Sequence, residues 1–145
     1  MEGYFCPACG HRLTDDHMRS VRLKGVLHGE GFKVSCPFEL PAQLGVYGAE
    51  CRYPGLELQP GARVDFRCPA CDASFTLPDR HNLSSLVWET AGGERRQVVF
   101  NRVLGKRMTA VVCVDDGTIL EAHGDEKDDL IASLKGVLGR LTGRG

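Results

Sequence analysis

The tetrapeptide Cys-Pro-Ala-Cys occurs twice in this chain, as Cys6-Pro7-Ala8-Cys9 and as Cys68-Pro69-Ala70-Cys71. Two cysteines separated by two residues can aim both sulfurs at one point. Two such knuckles supply four thiolates, enough to close a tetrahedral metal site. Proline behind the first cysteine fixes φ at about −65° and preorganises the turn. The residue after each second cysteine, Gly10 or Asp72, is expected to need a left-handed backbone, which glycine adopts freely and aspartate tolerates. Backbone N–H groups in the turn are then free to donate to sulfur. Such donors matter because a divalent ion with four thiolates carries a net charge of about −2. His11, Arg12 and Arg67 are placed to offset some of that charge. The expected metal ligands are Cys6, Cys9, Cys68 and Cys71.

The remaining composition fits a metal-stapled globular chain. Hydrophobic residues make up 42% of the 145, enough for a core, and no apolar run approaches the length of a bilayer span. The start, Met1-Glu2-Gly3-Tyr4-Phe5-Cys6, has no basic segment followed by an apolar run, so a cytoplasmic location is expected. In that setting seven cysteines read as metal ligands or buried thiols rather than a disulfide framework. A net charge of −1 argues against a protein that coats nucleic acid. Locally, Arg95, Arg96, Arg102, Lys106 and Arg107 form a basic stretch, and an acidic one from Asp115 to Asp129 follows. These read as solvated faces that partly neutralise each other.

Alternation from Met18 to Leu27 and from Phe32 to Leu40, joined at His28-Gly29-Glu30-Gly31, predicts a β-hairpin with one buried face. Residues 41–55 break into Gly, Pro and Tyr and read as a loop. Short strands are expected at Leu56 to Leu58, at Val64 to Cys68 and around Phe75 to Leu77. Residues 78–82 are the expected boundary between two halves. Beyond it, strands at 86–90, 97–104, 108–114 and 118–123 form a four-stranded meander, turned at Gly92-Gly93, at residues 105–107 and at Asp116-Gly117. Leu130, Ile131, Leu134, Val137, Leu138 and Leu141 recur at helical spacing, predicting a C-terminal amphipathic helix across the meander.

The paired knuckles resemble those of the zinc ribbon, in which two CPxC-type turns on separate β-hairpins share one zinc ion. The resemblance covers about half the chain and carries over Cys6, Cys9, Cys68 and Cys71 as ligands and Gly10 as the knuckle glycine. The 58 residues between Cys9 and Cys68 far exceed the usual spacing of about 15–20, so they read as a β-rich insertion between the two halves of the ribbon. Asp72 stands where a second knuckle glycine is usual. The motifs are also similar to those of rubredoxin, which holds iron in the same cage, but its aromatic core is not evident here. The expected fold is therefore mainly β (α+β): a four-cysteine zinc ribbon with an inserted antiparallel hairpin over 1–82, then a β-meander capped by a C-terminal helix over 83–145.

Four thiolates leave no open coordination position, so the expected Zn2+ is structural and the chain is read as no enzyme. No P-loop, dinucleotide fingerprint or Ser/His/Asp constellation is evident. The expected role is a small cytoplasmic adaptor or accessory subunit acting through protein–protein contacts, without a membrane partner. The alternative is a nucleic-acid-binding or transcription-associated ribbon that sets the Arg95–Arg107 cluster on phosphates. Cys36 and Cys113 read as small core hydrophobes. Cys51 sits in the irregular stretch, and with Cys36 and two of His11, His17 or His28 it offers the makings of a second metal site. Asp15-Asp16-His17 reads as a solvated turn, His81 and His123 as surface residues, and Trp88 as a core or interface anchor. The loop from Leu44 to Tyr53 is the expected partner-contacting surface.

Overall fold

The computed structural model describes residues 2–15, 17, 19–29, 32–44, 48, 50–51, 61–78, 80–104, 108–125 and 127–132. Their strands are β1 (Gly3–Phe5), β2 (Ser20–Gly29), β3 (Phe32–Pro41), β4 (Glu50–Cys51), β5 (Val64–Arg67), β6 (Thr76–Leu77), β7 (Arg80–Glu89), β8 (Arg95–Asn101), β9 (Thr109–Cys113) and β10 (Ile119–His123). All pairings are antiparallel, and the protein is mainly β as expected. One sheet runs β4-β3-β2-β5; the other runs β1-β7-β8-β9-β10, with β6 also paired to β7.

The β2–β3 hairpin forms as the alternation predicts, in unbroken register from Ser20 opposite Pro41 to Gly29 opposite Phe32. Val21, Leu23, Leu27, Cys36 and Phe38 from this hairpin are buried in one core with Phe66, Phe75, Leu86, Val98 and Val111. Both sheets therefore contribute to it. Phe38 meets Phe66 edge-on at 5.5 Å, and Phe66 meets Phe100 at 5.7 Å. Such aromatic contacts add specific geometry to the burial of large apolar surfaces. Trp88 stacks on Tyr4 at 6.2 Å, its partner across β1 and β7, which makes it a packing anchor.

The meander β7-β8-β9-β10 has the expected order, but β7 starts at Arg80 rather than Leu86. Ser84 and Ser85 occupy buried positions there, 0% and 8% exposed, and small hydroxyls at core positions hide the apolar alternation of a strand. Hydrogen bonding thus runs through residues 80–82, and β1 and β6 join the meander's sheet. The expected loop after Pro41 contains β4, a two-residue strand paired with β3. Residues 127–132 are helical, and Leu130 is buried with Leu83, Val99, Met108, Ala110 and Val112 of the meander. The rest of the predicted helical stripe lies outside the described residues. So do the expected strand at Leu56 to Leu58, the turn at 105–107 and much of the 44–53 loop. Among the described residues no helix is long and apolar enough to cross a membrane.

Candidate metal centre

Each knuckle is the tip of a tight hairpin, and the two hairpins repeat each other at an offset of 62 residues, as Cys6 to Cys68. In the first, Gly10 N–H donates to the Cys6 carbonyl at 3.0 Å and Cys6 N–H to the His11 carbonyl at 3.0 Å. In the second, Asp72 N–H donates to Cys68 at 2.9 Å and Cys68 N–H to Ala73 at 3.0 Å. Behind the tips, Leu13 donates to Tyr4 and Phe75 to Phe66, each at 2.8 Å. Gly10 has φ +76° and Asp72 +64°, so both take the left-handed backbone the sequence predicts. The repeat therefore extends well beyond the tetrapeptide, into apolar positions whose residue types differ. Only the matched spacing of Tyr4, Leu13, Phe66 and Phe75 around the cysteines signalled it in the sequence.

Two long strands bring these hairpins together. On β7, the incoming strand of the first knuckle pairs with Val87 to Glu89, and the outgoing strand of the second pairs with Arg80 to Ser84. On β2 the roles exchange. The outgoing side of the first knuckle bridges Thr14 to Val21, and the incoming strand of the second pairs along Lys24 to Leu27. Each knuckle is thus tied to both sheets, and the sulfurs converge at the seam between them.

All four sulfurs lie within 4.8 Å of one another. Cys6 Sγ is 3.8 Å from Cys71 Sγ, and Cys9 Sγ is 3.7 Å from Cys68 Sγ. A tetrahedral ion with metal–sulfur bonds of about 2.3 Å requires sulfurs about 3.8 Å apart, so the donor set fits an ion held by four thiolates. Cys6 and Cys68 are buried, while Cys9 and Cys71 are exposed. The two buried sulfurs receive matching backbone donors. Ala8 and Cys9 N–H reach Cys6 at 3.3 and 3.5 Å, and Ala70 and Cys71 N–H reach Cys68 at 3.4 and 3.5 Å. Bonds of this kind orient the ligands and delocalise thiolate charge.

The electrostatics of the bare sulfurs point the same way. Burial opposes ionisation of Cys68, yet the Cys71 and Ala70 N–H groups and the neighbouring thiols of Cys9 and Cys6 outweigh it and hold its pKa below the ordinary thiol value. Burial pushes Cys6 up, against the N–H donors of Cys9 and Ala8. At Cys9 the His11 N–H favours the thiolate, but desolvation and the sulfurs of Cys71, Cys68 and Cys6 push the thiol up to about 12. The surroundings thus favour the thiolate at Cys68 and oppose it at Cys6 and Cys9. A divalent cation at the centre of the four sulfurs would supply the missing counter-charge.

Arg12 and Arg67, the arginines expected to offset some of the thiolate charge, each bond to groups of their own hairpin. Arg12 donates to the carbonyls of Glu2, Thr14 and Asp15 and lies over the Phe5 ring at 5.9 Å. Arg67 pairs with Asp65 at 2.7 Å and donates to the Asp72 carbonyl at 2.9 Å. His11 and His17 are exposed, and the His28 and His81 side chains lie outside the described residues. Cys36 is buried as expected. Cys113 is half-buried. His123 is half-buried beside Glu121, at 3.5 Å. Asp15 accepts the Arg19 N–H at 2.8 Å, closing a turn. The described part of the basic stretch is spread along β8. Arg95 and Arg96 sit at its start, Arg96 paired with Glu94, and Arg102 lies just past its other end. No family model, curated protein or solved structure matches the chain.

Proposed function

We propose that this chain is a non-catalytic, zinc-stapled accessory or adaptor subunit that works through protein–protein contacts. The observation that carries this reading is the placement of the four-sulfur cage. It stands where both sheets meet, each hairpin tied to β2 and β7, so a bound ion fixes the relative position of the two sheets. Zinc suits four thiolates in a tetrahedron, and a closed shell of protein ligands is the pattern of structural rather than catalytic zinc. A contact surface is at hand beside the first knuckle. Val114, 53% exposed, lies at the edge of a shallow depression that Pro7, Val87, Gln97, Asp115 and Asp116 also line, and Leu120 is 46% exposed. Of the basic stretch, Arg95 and Arg96 stand together at the start of β8 and Arg102 just past its other end, roughly 20 Å away.

Affinity purification of the full chain from native lysate, with metal content and bound macromolecules both measured, tests the reading. A defined protein partner at stoichiometric yield, recovered with one zinc per chain and lost on chelation, is the expected result. Recovery of nucleic acid instead, with affinity falling steeply as salt rises, overturns it in favour of a phosphate-binding ribbon.

A further inference from the structure

Outside the four-sulfur cage the structure brings together a second pair of thiols. Cys36 lies in β3, 3% exposed, and Cys51 lies half-buried in β4. The register sets Phe38 opposite Cys51 and Glu39 opposite Glu50. Cys51 therefore shares a sheet face with Phe38 and with Cys36, two positions back along β3, as a diagonal cross-strand pair. The two Sγ atoms are 2.6 Å apart. That is closer than unbonded sulfurs settle, and about half an ångström from the ~2.05 Å of a disulfide. Among the described residues no His, Asp or Glu makes a third ligand with them, which leaves a covalent bond as the better fit than a metal.

We propose that Cys36 and Cys51 form a reversible intrachain disulfide that pins β4 to the edge of its sheet. The oxidant is a low-molecular-weight disulfide of the glutathione type. Cys51, the more exposed sulfur, attacks as thiolate one sulfur of the small disulfide, breaking its S–S bond and releasing one thiolate. Cys36 then gives up its proton to solvent and attacks Cys51 Sγ, and the second small thiolate leaves. The chain loses two protons and two electrons, and the small disulfide is reduced to two thiols. Excess thiol reverses both steps. Burial, then the neighbouring Cys51 sulfur, raises the Cys36 pKa, so Cys36 acts second, when proximity to Cys51 makes its attack intramolecular. The bridge closes the segment between β3 and β4, where two residue pairs otherwise tie β4 to β3. It is independent of the zinc reading, because neither cysteine belongs to the cage.

The test uses the zinc-loaded full chain. It is treated with oxidised glutathione, blocked with iodoacetamide and digested with trypsin without reduction. Cleavage after Lys33 and Arg52 releases both cysteines in a single peptide, 34–52. The expected peptide is two hydrogens lighter than the reduced form and carries no alkyl group, while zinc content is unchanged; dithiothreitol restores two alkylatable thiols. Two alkyl groups, glutathione retained on either cysteine, or a bridge to Cys113 or a knuckle cysteine overturns the proposal. Oxidation should also raise the Tm of the native chain by on the order of 5 °C and leave Cys51→Ser unmoved. An equal response of the two proteins overturns it as well.

Discussion

In the first knuckle a cation reaches backbone carbonyls to brace the hairpin, whereas in the second a carboxylate gathers side-chain donors at the corresponding place. Arg12 bonds to the carbonyls of Glu2, Thr14 and Asp15 over the Phe5 ring, and Gly3 leaves room for it: a Cβ there would lie 3.2 Å from the guanidinium carbon. Sixty-two residues on, Asp65 replaces Gly3, Arg67 replaces Phe5 and Ser74 replaces Arg12. Asp65 accepts from Arg67 at 2.7 Å, Ser74 at 2.6 Å and Thr76 at 3.4 Å. The arginine has crossed to the other strand of its hairpin, where it pairs with the Asp65 carboxylate. The turn, the N–H donors to sulfur and the buried apolar pair behind it are kept. Backbone geometry and the two long strands therefore set the cage, and the polar bracing is interchangeable so long as each donor and acceptor is matched.

The largest expected effect tests how equal the knuckles are. On the zinc reading proposed above, Cys6→Ser and Cys68→Ser each remove a buried ligand of one shared ion, so both should lose tight metal binding alike. The ion-linked share of folding free energy should then be on the order of 10 kcal/mol. Elemental analysis and guanidinium melts with and without chelator measure it. A Cys68→Ser chain that keeps a stoichiometric ion while Cys6→Ser does not would show that the second knuckle is dispensable.

Next comes the packing beneath each hairpin. Gly25 lies in β2 opposite Phe66, and a Cβ there would overlap the Phe38 ring and come within 2.9 Å of Val64 Cγ1. Phe38 is fully buried and Val64 belongs to the second hairpin, so neither has room to retreat. Gly25→Ala should cost about 1–3 kcal/mol as an overpacked core position. At Gly3 a Cβ would meet Thr14 Oγ1 at 3.0 Å and the ends of the Arg12 and Phe5 side chains, which can give way. Gly3→Ala should therefore stay within about 1 kcal/mol. Equal urea midpoint shifts for the two variants would contradict this ordering.

The sequence foretold the elements whose chemistry is local. Identical CPAC turns announced the cage, alternation announced β2, β3 and β5, an unbroken apolar run announced β9, and the Gly-Gly and Asp-Gly turns announced where the meander reverses. What it hid is non-local. β7 was masked by Ser84 and Ser85 at buried positions, because hydroxyl side chains carry no apolar period. β4 owes its two residues to pairing with β3 rather than to any propensity of Glu50 or Cys51. The approach of Cys51 to Cys36 follows from that register. The bracing roles of Arg12 and Asp65 were likewise unreadable, since a charged residue beside a knuckle does not declare its partner.

The bracing difference predicts different behaviour in acid. The carboxyl of Asp65 is held below the usual carboxylate range: burial works against ionisation, but Ser74, Arg67 and Thr76 donate to the charged form and win. A depressed folded-state pKa contributes stability that is present above the unfolded value, about 3.9, and is lost as pH falls through the folded one. Asp65→Asn should therefore cost about 1–2 kcal/mol at neutral pH, and the gap to the native chain should close below about pH 4. Arg12→Met removes a group that does not titrate in this range, and the loss of its bonds to the Glu2, Thr14 and Asp15 carbonyls carries no pH dependence of its own. Denaturation curves across pH for the three proteins measure the contrast. A gap for Asp65→Asn that persists unchanged at pH 3 would mean the carboxylate is not what braces the second hairpin.

The smallest effects belong to the left-handed residues themselves, where the knuckles differ in compensation rather than in conformation. A Cβ on Gly10 would meet nothing within 4 Å, so Gly10→Ala carries only the backbone penalty of its positive φ, about 1 kcal/mol. Asp72 already bears that penalty. In return its carboxylate takes a hydrogen bond from Lys24 at 2.8 Å and lies 3.8 Å from Arg67, and the Lys24 contact is the main reason its pKa is lowered. Lys24 and Asp72 are 38% and 59% exposed, so salt should screen the pair. Asp72→Gly relieves the backbone and removes the pair, and the two changes should nearly cancel at low ionic strength. Raising the salt weakens only the native pair, so Asp72→Gly should become the more stable protein, while the deficit of Gly10→Ala holds constant. Melting temperatures of the three chains at low and high sodium chloride decide it: a salt-independent Asp72→Gly difference would mean that Lys24 contributes nothing at the second knuckle.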